Sequence, residues 1–281
     1  MRFSLLVPLS LRQIAGLLAT HPRLILAVLY RPHKFIGKSA EEMPPDFHVF
    51  HVKLCLKRSA RRYQKLYGDG GFQPLELLTK ELAHLPCGRK SLLYVAVRLL
   101  RPSRVVETGV WFGFSTAQVL QALAENGAGE LCSVDAPNIA YDAGSYWDAK
   151  LLPSEMQPGF VIPPALLNRW KLVSGYSRDV LPSLLQSIGP IDLFFHDSEH
   201  TYENMLFEYR VAWEHLGQGG ALISDDVHLN QAFTDFCREV GTTPWILGTY
   251  GVTTKDPAVE NALGFSGRAS NLRESKVEPR A

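Results

Sequence analysis

From about residue 74 to 255, short apolar runs alternate with amphipathic stretches, and most of the runs stop at a polar or acidic residue. Arg104 to Val106, Leu131 to Val134, Trp170 to Val173, Ile191 to Phe195 and Gly220 to Ile223 read as strands. The intervening segments 75–84, 89–100, 115–126, 178–188, 202–216 and 229–240 read as helices. The fifth of these puts Tyr202, Met205, Leu206, Tyr209 and Trp213 on one face. Ser115 with Gln118 predicts a capping box at the start of the third. Residues 243–254 supply two final strands. Seven strands alternating with helices predict an α/β fold: a doubly wound, mostly parallel, Rossmann-like sheet with helices on both faces.

The rhythm breaks in three places. Residues 1–73 read as a helical appendage to a main domain spanning 74–265. Its segment Phe3 to Leu29 is rich in Leu, Ile and Val, but Arg12, His21, Pro22 and Arg23 interrupt it. That is short of the roughly 20 apolar residues a membrane span needs. Two short helices broken at Pro22 are expected, and they could pack on the domain, mediate homo-oligomerisation or lie on a membrane surface. Further on, Lys53, Lys57, Arg58, Arg61, Arg62 and Lys65 share one helical face, with Val52, Leu56, Ala60, Tyr63 and Tyr67 on the other. A basic amphipathic helix suits anionic lipid or an acidic ligand, or is a solvated face over a packed one. The second break, 136–169, carries Pro137, Pro153, Pro158, Pro163 and Pro164 with Tyr141, Tyr146, Trp147 and Phe160. An insertion after a strand's carboxyl end reads as a lid or substrate wall. The third is the polar tail, 266–281, expected to be disordered.

Composition changes this picture little. A chain of 281 residues, 46% hydrophobic, can bury one good core with an appendage. A net charge of +1 gives no electrostatic case for nucleic acid as a partner. Cys55, Cys87, Cys132 and Cys237 form no C-x-x-C pair and no zinc spacing. Reduced thiols and a cytoplasmic location are expected.

The candidate chemistry sits where strands end. Strand RVV runs into Glu107-Thr108-Gly109-Val110-Trp111-Phe112-Gly113-Phe114-Ser115. Gly109 and Gly113 let backbone approach a ligand, and the helix that follows points free N–H groups into the loop. Asp135 ends the next strand, where an acid takes two ribose hydroxyls. A dinucleotide would want G-x-G-x-x-G over its pyrophosphate. Here the glycines are four apart and Glu107 precedes them, which would repel a pyrophosphate. The pattern fits a cationic, amino-acid-bearing cofactor, S-adenosylmethionine, better than NAD. Asp197, Asp225 and Asp226 follow two strands flanking a helix, so their carboxylates are expected at one sheet edge. A hard divalent cation, magnesium foremost, would relieve their repulsion. Capping of the next helix by Asp225 or Asp226 is the competing reading.

With these residues in view, the chain resembles the class I S-adenosylmethionine-dependent methyltransferases. It is most similar to the metal-dependent O-methyltransferases of the catechol and caffeoyl-coenzyme A kind and their bacterial sugar and antibiotic relatives. The resemblance covers about 89–254 and rests on ETGVWFGFS, the acid of LCSVD, LVSGYSRDVLPSLL, and IDLFFHDSEHTY followed by GGALISDDV. It implies that Glu107, Gly109, Gly113 and Ser115 line the methionine end of the cofactor. Asp135 would hold the ribose, and Tyr176, Ser177 and Arg178 would border the adenine. Asp197, Asp225 and Asp226 would stand at the metal ligands, and His200 at the place of the catechol enzymes' lysine base. His200 as base competes with an orienting or turn role. His196 and His228 are expected to be structural. The implied reaction is methyl transfer to a hydroxyl of a small molecule: a vicinal diol, a catechol or a sugar. Two other classes compete with it. One is a non-catalytic or membrane-peripheral cofactor-binding protein of the same fold. The other is a metallohydrolase, since His196 to His200 also reads H-x-x-E-H, although a strand end suits that motif badly.

Overall fold

The computed structural model describes residues 45–68, 91–136, 156–256 and 258–259. The expected N-terminal helices around Pro22, the helix at 75–84, the tail, and Tyr141, Tyr146 and Trp147 lie outside the described residues. In chain order the elements are α1 (Pro45–Tyr67), α2 (Ser91–Leu100), β1 (Arg104–Thr108), α3 (Phe114–Asn126), β2 (Glu130–Asp135), a 3-10 helix (Pro164–Arg169), β3 (Trp170–Ser174) and α4 (Ser177–Ile188). They continue with β4 (Ile191–His196), α5 (Tyr202–His215), β5 (Leu216–Ser224), α6 (Ala232–Val240), β6 (Trp245–Leu247) and β7 (Tyr250–Thr254).

The seven strands form one sheet in the order β3-β2-β1-β4-β5-β7-β6. β1 to β5 are parallel, while β7 runs antiparallel to both β5 and β6. This is the expected doubly wound, mostly parallel Rossmann-like architecture, and its strand order reverses between β1 and β4. Ligands of such sheets bind outside the carboxyl ends at the reversal.

Successive strand residues point to opposite faces, and here both faces are apolar. Val105, Leu193, Phe195, Ala221 and Ile223 pack toward α1, α2 and α3. Val106, Phe194 and Leu222 pack with residues of α4, α5 and α6. Strands covered on both sides must read as continuous apolar runs rather than alternation, which is why LFF and ALI were recognisable. Each fully buried Phe or Leu contributes about 1.5–3 kcal/mol.

The edges of the elements depart from the reading in informative places. α3 begins one residue before Ser115, and Gly113 caps it in a left-handed conformation with no side-chain bond. Ser115 and Gln118 are buried inside the helix, so the expected capping box does not form. α6 begins at Ala232, not Leu229, because Asp226 takes a φ of 49° and the Leu229 N–H closes a turn onto the Asp226 carbonyl. α1 shares the main core through Val52 and Leu56, and the Ser59 hydroxyl meets that of Ser91 at 2.7 Å. Cys55 is disulfide-bonded, whereas Cys132 and Cys237 are free thiols. The expectation of reduced cysteines is thereby corrected at Cys55. Among the described residues no helix is long and apolar enough to cross a membrane.

Candidate functional site

The loop after β1 is held between its neighbouring strands. The Gly109 N–H donates to the Val134 carbonyl at 2.9 Å, and the Asp197 N–H donates to the Thr108 carbonyl at 2.8 Å. Gly109 has φ +85°, and a Cβ there would stand 2.1 Å from the Asp197 carbonyl oxygen. Backbone approaches backbone too closely for any side chain. Gly113, at φ +92°, is pressed against Gly159 and Ile162. Both glycines are therefore required by the turn itself.

Glu107, in β1, directly precedes this loop. It is fully buried, and its carboxylate accepts hydrogen bonds from Thr116 Oγ1 at 2.8 Å and Ser133 Oγ at 2.7 Å. Trp170 Nε1 in turn donates to Ser133 Oγ. The network ties β1, β2, β3 and the first turn of α3 together. Ser115 is buried in that same turn. Glu107 and Ser115, both expected at the methionine end of the cofactor, are thus both buried here.

Asp135 does reach the loop. From the end of β2 its carboxylate accepts the Trp111 N–H at 3.2 Å and interacts with the Val110 and Ala136 N–H groups. Burial raises its pKa, and these backbone donors oppose the rise. The Asp135 carbonyl accepts from the Gly175 N–H, which sets the start of α4 beside it. There Tyr176 and Arg178 are exposed, while Ser177 turns inward to donate to Asn204 Oδ1 at 3.4 Å. Of the three residues expected near the adenine, two face outward from the edge and one faces the interior.

That interior holds the residue the sequence did not reveal. Glu208 of α5 is fully buried. Its carboxylate meets His196 Nδ1 at 2.7 Å and accepts from Thr108 Oγ1, Ser198 Oγ and Asn204 Nδ2. Burial pushes its pKa up, but the adjacent His196 and the surrounding donors outweigh this and bring it down to about 2. The available signal was an acid on the apolar face of α5, between Met205 and Ala212.

The three acids expected to hold a metal do not converge. Asp225 Oδ1 accepts the Asp226 N–H and Thr249 Oγ1, each at 2.8 Å. Asp226 sits in the left-handed turn, with its Oδ1 3.7 Å from His228 Nδ1. Asp197 lies at the mouth of the Gly109 loop. Among the described residues no group of three His, Cys, Asp or Glu side chains is arranged to hold a metal. As placed, these residues are not arranged as a magnesium site. His196, the first histidine of H-x-x-E-H, ends a strand and pairs with Glu208, which removes the geometry a zinc hydrolase needs. His200 packs edge-on to His196, with ring centroids 5.1 Å apart. Burial, then the neighbouring His196, lowers its pKa to about 3. Both causes favour the neutral imidazole, so the general-base role expected for His200 would need a pKa nearer neutrality.

Two further elements close over the loop. Gly159 donates its N–H to the Trp111 carbonyl and Val161 donates to that of Phe112, so the end of the insertion docks on the loop. His48 of α1 lies 4.6 Å from the Phe112 ring centroid, and His51 lies 5.4 Å from that of Phe114. The sequence carried no sign of these non-local contacts.

Residues 106–227 match a family model described as a methyltransferase domain. This central span of the chain is thus similar to a methyltransferase domain. The matched span runs from the third residue of β1 to the turn after β5 and so contains the glycine loop, Asp135 and both acidic strand ends. Among solved structures, it is similar to the O-methyltransferase TomG from Streptomyces achromogenes, which is involved in tomaymycin synthesis and was determined with S-adenosylmethionine. Identity is 18%, with 71% of this chain and 87% of that one covered and a TM-score of 0.43. It is also similar to an O-methyltransferase from Bacillus cereus determined with S-adenosylhomocysteine, at 15% identity, 71% and 100% coverage and a TM-score of 0.43. No curated protein matches the sequence.

Proposed function

We propose that this protein is a methyltransferase that moves the methyl group of S-adenosylmethionine to a hydroxyl of a small molecule. The observation that supports this most strongly is Asp135. A carboxylate at the end of β2 meets the backbone N–H groups of a left-handed glycine loop, at the point where the strand order reverses. In this reading Asp135 accepts from the ribose hydroxyls, and Gly109 and Gly113 let the loop backbone approach the methionine portion. Tyr176 and Arg178 border the adenine. The cofactor supplies an activated methyl on sulfonium. The protein's part is to hold an acceptor oxygen in line with it and exclude water. Asp197 and His200, on the loop after β4, would face that acceptor. A neutral His200 can accept a hydroxyl's hydrogen bond, and Asp197 can carry the proton.

The test is turnover of the full-length chain with S-adenosylmethionine and a panel of catechols, sugar diols and phenols. S-adenosylhomocysteine release and a one-methyl mass gain in the acceptor are the readouts. Transfer to at least one hydroxyl supports the reading. Transfer only to amines or thiols in a parallel panel would overturn it. Chelator and magnesium arms decide the metal question. The engaged Asp225 predicts turnover in the presence of chelator, whereas a strict magnesium requirement would mean that Asp225 exchanges Thr249 for metal on binding.

A further inference from the structure

The charge of this chain is divided very unevenly. Residues 1–68 carry 12 Lys and Arg against 3 Asp and Glu, a net +9, while residues 69–281 carry 17 against 25, a net −8. The near-neutral total conceals this. The described part of the basic region is α1, which has six Lys and Arg and, after Asp46, no acid. One side of the helix is committed to the core through Val52, Cys55, Leu56 and Ser59. The other side exposes Lys53, Lys57, Arg61 and Lys65, spaced four apart, with Gln64 beside them.

A helix that is merely solvated gains from opposite charges at this spacing, whereas like charges four apart repel. α1 has four cations in such a row over about 18 Å and no anion among them. The arrangement costs the isolated helix stability, and an external anionic surface would reverse that sign. The 44 residues that lead directly into α1 add six more cations, only two acids, and the Leu-, Ile- and Val-rich segment Phe3 to Leu29. Cations alone would suit nucleic acid or lipid equally. Cations joined to an apolar segment favour a bilayer, which takes both.

We propose that the exposed Lys53, Lys57, Arg61 and Lys65 face of α1 docks this enzyme on an anionic lipid surface. The first turns of α1 pack on Phe112 and Phe114 through His48 and His51. Docking therefore fixes the mouth of the glycine loop relative to the membrane.

Full-length protein is sedimented with vesicles of pure phosphatidylcholine and of phosphatidylcholine with 30% phosphatidylserine, at low and high salt. Binding is expected only to the serine-containing vesicles and is released by salt. Each Lys or Arg near the surface contributes about fivefold, so Lys53→Glu with Lys57→Glu and Arg61→Glu should weaken binding by at least about a hundredfold. A charge-matched control on exposed positions of the domain, Lys171→Glu with Arg210→Glu and Arg238→Glu, should leave it within about threefold. Circular dichroism checks that both variants fold, and the salt dependence of the unmodified protein stands independently of them. Equal binding to both vesicle types, an unaffected α1 variant, or tighter binding to a random DNA duplex at equal ionic strength would each overturn the proposal.

Discussion

Asp135 and Glu208 are carboxylates near the same sheet edge, and their surroundings have set them to opposite uses. Asp135 meets backbone N–H groups of a loop, and burial raises its pKa. Glu208 is sealed among His196, Thr108, Ser198 and Asn204, and its pKa falls to about 2. An acid whose partners are all protein side chains is a structural fastening. An acid that leans on a glycine loop at the strand-order reversal has capacity left for a ligand. The difference teaches that counting acids at strand ends overstates a site. Asp225, satisfied by Thr249 and its own turn, belongs nearer to the Glu208 kind.

The contrast can be broken most severely at Glu208. Glu208→Ala leaves His196, Thr108, Ser198 and Asn204 directed at an empty position and should cost about 3–5 kcal/mol, as removing one partner of a buried pair does. Denaturant unfolding measures this, and Glu208→Gln, which keeps the shape, should lose less. Gly109→Ala comes next. Its Cβ would meet the Asp197 carbonyl at 2.1 Å from a left-handed backbone, so strand ends must shift. A loss of about 2–3 kcal/mol is expected, together with loss of cofactor binding.

Acidification produces a smaller, graded effect. The pKa of His200 is lowered to about 3, and that of His51 to about 4, both chiefly by burial. The unfolded chain therefore binds protons that the folded chain refuses once pH falls below about 6.5, and stability declines with falling pH. The contribution of Glu208 has the same direction but is kept until pH passes below its unfolded value of about 4.5, then lost toward 2. Melting temperatures between pH 7.5 and 4 should fall in that order, and His200→Gln should flatten the first part of the decline. A pH–rate profile showing a group with pKa near 6.5 that His200→Gln removes would contradict the assignment of His200 as a weak base.

Much of the fold was legible because parallel strands buried on both faces must be written as apolar runs, as Leu193, Phe194 and Phe195 show. The glycine loop and Asp135 were legible because their chemistry is local: a left-handed turn needs glycine, and a strand end fixes its neighbour. What was not legible depended on partners distant in sequence. Thr249, 24 positions away, occupies Asp225. Thr108, 100 positions from Glu208, helps fasten it. The partners of Glu107 were hidden too, because nothing in its sequence neighbourhood shows that Ser133 and Thr116 turn toward it. The capping box failed for a local reason: the left-handed Gly113 moves the helix start ahead of Ser115.

The central claim is that Asp135 holds cofactor while Glu208 only holds the protein together. Calorimetric titration of S-adenosylmethionine into the full-length chain and into folded Asp135→Ala tests it most directly. Micromolar binding that weakens by about a hundredfold in Asp135→Ala, with the melting temperature nearly unchanged, is the predicted result. Equal affinity in both proteins, or no binding by the folded parent chain, would contradict it.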